Sequence, residues 1–242
     1  MNKKLKIIAI IPARMSSSRF PGKPMANIIN MPMIGHCYLR SKMSKLITDC
    51  YVATPDKIIK EYIDGIGGKS IMTSHKHEMC NDRVFEAVEK IEKLKKIKYD
   101  IIVNIQGDLP MIYPDMIDDL IKPVVKNSKV LTTTMVDEIT SSKEFTDRNR
   151  VKVIMDKNND AILLTREPVP STFKYKKNFK KYKHVAIRAY KRSVFMQLKK
   201  LKITLYEKIE GVDDLRLLEN SIKIQIVKTK RITETVDNKY DL

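Results

Sequence analysis

Cysteine is scarce. The chain has three, Cys37, Cys50 and Cys80, an odd set with no close pair. That excludes a disulfide framework and fits thiols kept reduced in the cytoplasm. Long apolar runs are also missing. None approaches the roughly 18 residues of a membrane span, so no membrane partner is expected. The start Met1-Asn2-Lys3-Lys4-Leu5 is basic and then apolar, yet Arg14 arrives before any small-residue cleavage site, which argues against a secretory leader. There is no Gly-, Ser- or Pro-rich linker and no internal repeat. The glycine-rich phosphate loops are absent too. Pro24 follows Lys23 and no Gly stands five residues before Gly22, so the N-terminal loop is not a Walker A. A single glycine is also too few for a dinucleotide-binding fingerprint.

What is present is a chain of 242 residues, 43% hydrophobic, with a formal net charge of +18. The length suits one large domain, or one with a small appendage. The charge invites a nucleic-acid reading. Lysine, however, is spread along the chain, as a general compositional bias would leave it. The densest patch, Lys174–Lys183, interleaves aromatics with cations. It could stack on a single strand, but the expectation is a solvated surface loop, with nucleic acid an unlikely partner.

Strand-like runs alternate with helix-like ones. The strand candidates are Lys6–Ile11, Asp49–Ala53, Ser70–Met72, Asp100–Ile105, Val130–Met135, Val151–Met155, Ala161–Leu164, Val185–Tyr190 and Ile222–Val227. The helix candidates are Met33–Met43, Pro55–Gly65, Asn81–Ile91, Pro114–Lys126, Lys191–Lys200 and Tyr206–Asn220. The early β-α-β-α order argues for an α/β fold with a mostly parallel sheet covered by helices. Asn81 is the expected N-cap of its helix, with Val84, Val88 and Ile91 at helical spacing. In Tyr206–Asn220 the expected apolar stripe is Ile209, Val212, Leu215 and Leu218, with Glu207, Glu210, Asp213, Asp214 and Arg216 on other faces. Short strands with few helix signals between about 130 and 190 suggest a partly antiparallel insertion. The polar end Thr233–Asn238 reads as a tail.

Three segments carry chemistry. The apolar, β-branched run Leu5–Ile11 empties into a loop holding Arg14, Arg19 and Lys23 among Ser16, Ser17, Ser18 and Gly22. A strand end opening into a cationic loop is where an α/β sheet binds phosphates. The small serines let backbone N–H groups approach, and three cations suit a triphosphate. The second segment, Ile101–Pro110, is an apolar strand ending in Gln106-Gly107-Asp108. A carboxylate at a strand end suits Mg²⁺ on a nucleotide, which is held by one or two carboxylates plus phosphate oxygens. The third, His75-Lys76-His77-Glu78-Met79-Cys80, has zinc-like residue types but no second ligand cluster, so its expected role is to line the cleft.

Read together, these segments resemble the 3-deoxy-manno-octulosonate (KDO) cytidylyltransferases. The loop Ile10–Pro24 is similar to that family's Ile-Pro-Ala-Arg-x-x-Ser-Thr-Arg-Leu-Pro-Gly-Lys-Pro. Met72-Thr73 with Asp82-Arg83, Val103–Pro110, Val151-Lys152-Val153, Leu164-Thr165-Arg166, Lys183–Tyr190 and Glu207–Arg216 match further family segments in order. The resemblance implies a three-layer nucleotidyltransferase (Rossmann-like) fold in one domain, 1–242, with the insertion at roughly 130–190. It implies a cytoplasmic homodimer that transfers CMP from CTP to an acidic sugar for lipopolysaccharide or surface polysaccharide synthesis, with Mg²⁺ as cofactor. Ala13, Arg14, Ser17, Ser18, Arg19, Lys23, Arg83 and Gln106 would bind the nucleotide. Asp108 and Asp237 would hold the metal, Arg14, Lys23 and Asp108 would be catalytic, and Gln106, Arg166, His184, Glu207, Glu210 and Arg216 would shape the acceptor pocket.

The departures from the family pattern cluster on the acceptor side. Ser-Gly-Thr is Met79-Cys80-Asn81, the Glu after Gln-Gly-Asp is Leu109, and Gly-Ile-Tyr is Ala186-Ile187-Arg188. Leu-Glu-Gln is Val212-Asp213-Asp214, and the final Gly-Val-Asp-Thr is Thr235-Val236-Asp237-Asn238. Arg188 is expected either at the surface or meeting an acidic group that KDO lacks. A modified KDO, another nonulosonic-type acid or a phosphonate therefore stay open as acceptors. A non-catalytic nucleic-acid binder is the competing class, disfavoured because Asp108 without its metal would repel phosphates.

Overall fold

The computed structural model describes residues 4–16, 19–77, 79–174 and 179–242. In chain order its elements are β1 (Ile7–Pro12), β2 (Asn27–Ile28), β3 (Met31–Pro32), α1 (Met33–Lys42), β4 (Asp49–Thr54), α2 (Lys57–Gly65), β5 (Ser70–Met72), α3 (Cys80–Lys95), β6 (Ile101–Ile105), α4 (Pro114–Lys126), β7 (Thr132–Glu138), α5 (Ser142–Thr146), β8 (Lys152–Met155), β9 (Ala161–Thr165), β10 (Tyr182–Lys191), α6 (Arg192–Leu198), α7 (Leu205–Glu210), α8 (Asp214–Glu219) and β11 (Gln225–Lys228).

The main sheet runs β11-β7-β10-β6-β1-β4-β5. β1 pairs in parallel with β4 and β6, β4 with β5, and β11 with β7. β10 is the reversed strand, antiparallel to both β6 and β7. β8 and β9 form a ribbon that joins β10 through Val153 and Lys152. Every residue of β1 is buried. That is why Ile7–Ile11 shows no polar alternation: the strand is covered on both faces. Ala9 and Ile11 pack under α1 and α4 with Cys37, Tyr38, Met116, Ile117 and Leu120. Ile8 and Ile10 face α3 and α6 with Val84, Val88, Ile91, Val194 and Phe195. The result is three layers. Burying each of these aliphatic side chains contributes about 1.5–3 kcal/mol.

Two helix expectations need correction. Asn81 lies inside α3 rather than capping it; Met79 is the N-cap, and Asn81 accepts a 3.0 Å hydrogen bond from Asn104 Nδ2. The single helix over Tyr206–Asn220 is two short ones. Gly211 closes α7 at φ +62°, where a residue without Cβ adopts the left-handed conformation at little cost. The break turns Ile209 out to 66% exposure and turns Glu207, Asp213, Asp214 and Arg216 into the interior. The patch Lys174–Lys183 is also not wholly a solvated loop. Tyr182 and Lys183 enter β10, and Lys183 is buried against Glu144 and Asp137. Residues 175–178 of that patch lie outside the described residues.

Candidate active site

The site forms where β1 and β6 end side by side. Ala13 continues the β1 ladder by donating to Ala53 O at 3.0 Å. The chain then leaves the sheet and returns through Gly22 (φ +77°), whose N–H donates to Met15 O at 2.9 Å. Pro24 opens the short turn Lys23–Met25 and fixes Lys23 at its start. Across from it, Gly107 lies just past the end of β6, against the end of β1. A Cβ there would sit 2.8 Å from Pro12 O, so only glycine lets the two strand ends close together.

The geometry joins the loop to the carboxylates directly. Lys23 Nζ donates to Asp108 Oδ2 at 2.9 Å and to Val236 O at 2.8 Å. Arg19 Nη2 pairs with Asp237 Oδ1 at 2.9 Å, and its Nη1 donates to Asn149 Oδ1 at 3.0 Å. The stretch expected as a polar tail is a strap. Val236 N–H donates to Asp108 O at 3.1 Å, Arg150 holds Glu234 and Thr235, and Thr233 and Val236 are buried. Burial, and next Arg19 acting in the opposite sense, set the Asp237 carboxyl; burial and the nearby Asp108 leave it above the ordinary carboxylate range. Two carboxylates within electrostatic reach of one another, each neutralised by a cation, are a donor set of hard oxygens that fits Mg²⁺ when phosphate oxygens complete the shell.

Arg14 Nη1 reaches His77 O at 3.4 Å. Arg83 is buried and donates to Thr73 Oγ1 at 2.6 Å, Ser74 O at 3.2 Å and His77 O at 3.3 Å, so it shapes the loop facing Arg14. His77 is engaged by Glu86. Gln106 follows β6 beside these groups, half-buried. Ser17 and Ser18 lie outside the described residues.

The residues expected on the acceptor side hold one another, Arg216 and Glu207 by an ion pair and Arg166 and Glu210 by hydrogen bonds through the backbone. Arg216 Nε donates to Glu207 Oε2 at 2.7 Å, and both side chains are buried. Arg166 donates from Nε to Glu210 O at 2.6 Å, while the Glu210 carboxylate accepts from Arg166 N at 2.8 Å and Thr165 Oγ1 at 2.6 Å. These pairs tie α7 to α8 and to β9. Glu207→Gln leaves Arg216 buried without its counter-charge. Such a loss costs about 3–5 kcal/mol, so a clear drop in the thermal midpoint is expected, and an unchanged midpoint would remove Glu207 from the framework. His184 contacts Thr134 Oγ1 at 2.7 Å and Asp214 Oδ2 at 3.4 Å. Burial pushes its pKa down to about 4 despite Asp214, so the imidazole is neutral at pH 7.

Arg188 is neither exposed nor waiting for an acidic ligand. It is 4% exposed, and Nε lies 2.8 Å from each oxygen of Asp214, a partner the sequence does not reveal because both positions read as surface charges.

Comparison with known proteins gives the same picture. A family model described as Cytidylyltransferase matches residues 8–224. The 3-deoxy-manno-octulosonate cytidylyltransferase of Thermodesulfovibrio yellowstonii is 40% identical, over 97% of this chain and 94% of its own. That of Geobacter metallireducens is 38% identical, over 98% and 95%. The solved structure of CMP:2-keto-3-deoxy-manno-octonic acid synthetase complexed with CTP superposes with a TM-score of 0.85 at 33% identity, covering 96% of this chain and 93% of that one. A cytidylyltransferase from Leptospira borgpetersenii, 18% identical with a TM-score of 0.61, shares the fold. Matched to such relatives along nearly its whole length, the chain belongs to the 3-deoxy-manno-octulosonate cytidylyltransferase family.

Proposed function

We propose that the protein transfers CMP from CTP to KDO and releases pyrophosphate, supplying activated sugar for lipopolysaccharide synthesis. The observation that carries this is the double ion pair Lys23–Asp108 and Arg19–Asp237 at the β1/β6 edge. Cations that suit a triphosphate and carboxylates that suit a metal are interleaved there.

Arg14, Arg19 and Lys23 neutralise the triphosphate and hold the α-phosphorus in line with the acceptor hydroxyl. The hydroxyl oxygen forms a bond to that phosphorus, the bond to the β-phosphate oxygen breaks, the pair leaves with pyrophosphate and the proton passes to solvent. Most of the rate comes from positioning and from charges placed in advance. Asp108 and Asp237 would hold Mg²⁺, which when bound offsets developing charge and lowers the pKa of the attacking hydroxyl. Neutral His184 and the Arg166–Glu210 and Arg216–Glu207 pairs frame the acceptor side without themselves needing to titrate.

The reading extends to a homodimer in the cytoplasm, with residues 1–242 as one domain and about 130–190 as its insertion. What supports the single-domain extent is that relatives such as those of Thermodesulfovibrio yellowstonii and Geobacter metallireducens match over nearly full length. Among the described residues no helix is long and apolar enough to cross a membrane. The test is pyrophosphate release from CTP and Mg²⁺ with KDO as acceptor, with formation of CMP-KDO followed by mass spectrometry. Release is expected with CTP and not without an acid. No release with KDO, together with tight salt-sensitive RNA binding, would instead favour a binding protein.

A further inference from the structure

The sheet face that carries Asn104 and Arg188 is charged where its surroundings are apolar. Arg188 lies opposite Asn104 of β6 and Thr134 of β7. Asp214 grips it through Nε and, at 2.6 Å, through Nη2. Asp213, one residue earlier, is different. It is 9% exposed and its carboxylate has no hydrogen bond or ion pair among the described residues. It stands within electrostatic range of Cys80, Arg188 and Arg216, and Cys80 in turn is within range of Asp108 and Arg14. Cys80 lines one small cavity with Arg14, His77 and Arg83, so the Asp213 charge is felt on the side of the fold that carries the triphosphate loop. Polar atoms on this face are orphaned: Asn81 Nδ2, Asn104 Oδ1 and the Tyr190 hydroxyl have no partner among the described residues, and the Tyr190 hydroxyl feels the Asp213 charge. A buried carboxylate without a donor is costly unless a ligand supplies one.

The arithmetic of charge is simple here. Asp214 cancels Arg188 and Glu207 cancels Arg216, which leaves Asp213 over. Without Asp214, Arg188 would turn to the adjacent carboxylate and consume it. We infer that Arg188 and Asp214 are one positioning unit: their ion pair keeps Asp213 as the free carboxylate of the acceptor wall, and so selects a mono-acid bearing hydroxyl donors over an acceptor with a second acidic group. Rejection works by like charge in a desolvated site. The inference rests on the CTP and KDO reading above.

Steady-state kinetics on the full chain with CTP and KDO test it. Asp214→Gln should raise KM for KDO by about tenfold or more with KM for CTP changed by less than about twofold, the size expected from losing a charged hydrogen bond. The double variant Arg188→Tyr with Asp214→Gln frees Asp213 again and should recover most of that loss. Asp213→Asn, which breaks no ion pair, should show the same KDO-specific rise even if Asp214→Gln folds poorly. A KDO analogue with a second carboxylate should be a worse substrate than KDO, and Asp213→Asn should narrow the gap. An unchanged KM for KDO in Asp213→Asn overturns the unit, as does a double variant no better than Asp214→Gln. Those results in an enzyme active on KDO reject the unit alone. A wild type inert toward KDO rejects the KDO reading and the unit with it.

Discussion

Asp108→Asn is expected to fold normally and to lose pyrophosphate release by about a hundredfold or more, the scale seen when one preorganised charge-stabilising group is removed. The fold survives because the side chain supports nothing but the site. Among the described residues the Asp108 side chain takes one hydrogen bond, from Lys23, which an amide oxygen can still accept. The contact that anchors the strap uses its backbone carbonyl and Val236 N–H, which the substitution leaves alone. What goes is the charge proposed to hold a divalent cation against the phosphates. Circular dichroism and a thermal melt check the first half of the expectation, and turnover with saturating CTP and KDO checks the second. Near-normal turnover would remove Asp108 from the metal site. The contrast with Glu207→Gln is instructive: there the charge is buried in an ion pair between helices, so stability should fall first.

The parts of this design that were legible in the sequence are those set by local patterning. A run as apolar and β-branched as Leu5–Ile11 has one reading, and a loop with Arg14, Arg19 and Lys23 at its end has few. Gln106-Gly107-Asp108 was visible for the same reason, and the structure adds why the middle residue is glycine: Pro12 O is in the way of any Cβ. Pairing is what patterning does not encode. Glu207, Asp214, Arg188 and Arg216 look like solvated charges one at a time. They are buried because each brings the counter-charge that offsets desolvation, and those partners lie 9 to 26 residues apart in the chain. The same blindness made a tail of Thr233–Asn238. Its polar groups point at Arg19, Arg150 and Lys23, while Val236 alone supplies the apolar anchor. Gly211 stands just before the departure Val212-Asp213-Asp214, and nothing in the local pattern announces its effect. A left-handed cap there ends α7 and reorients the whole acid-rich turn that follows.

The second large effect follows from the way Lys23 and Arg19 are engaged. Both predicted metal carboxylates are neutralised by cations that the triphosphate is expected to claim. A divalent ion arriving alone must displace Lys23 from Asp108 and meet a positive charge beside its site. A nucleotide offers those cations a better anion and frees the carboxylates. Nucleotide and metal should therefore bind with positive coupling, each raising the affinity of the other by the same factor. Lys23→Gln gives the coupling an unusual sign. Removing the cation should lower turnover by about a hundredfold or more, because a charge placed against the phosphates is lost. It should at the same time tighten binding of Mn²⁺ to the nucleotide-free protein, because Asp108 is no longer neutralised. Calorimetric titration of Mn²⁺ into the two proteins without CTP reads this directly. Tighter Mn²⁺ binding in Lys23→Gln than in wild type supports the exchange of partners. Equal or weaker binding would mean that Lys23 is not what keeps the metal out, and that the carboxylates are held apart by the strap through Val236 instead.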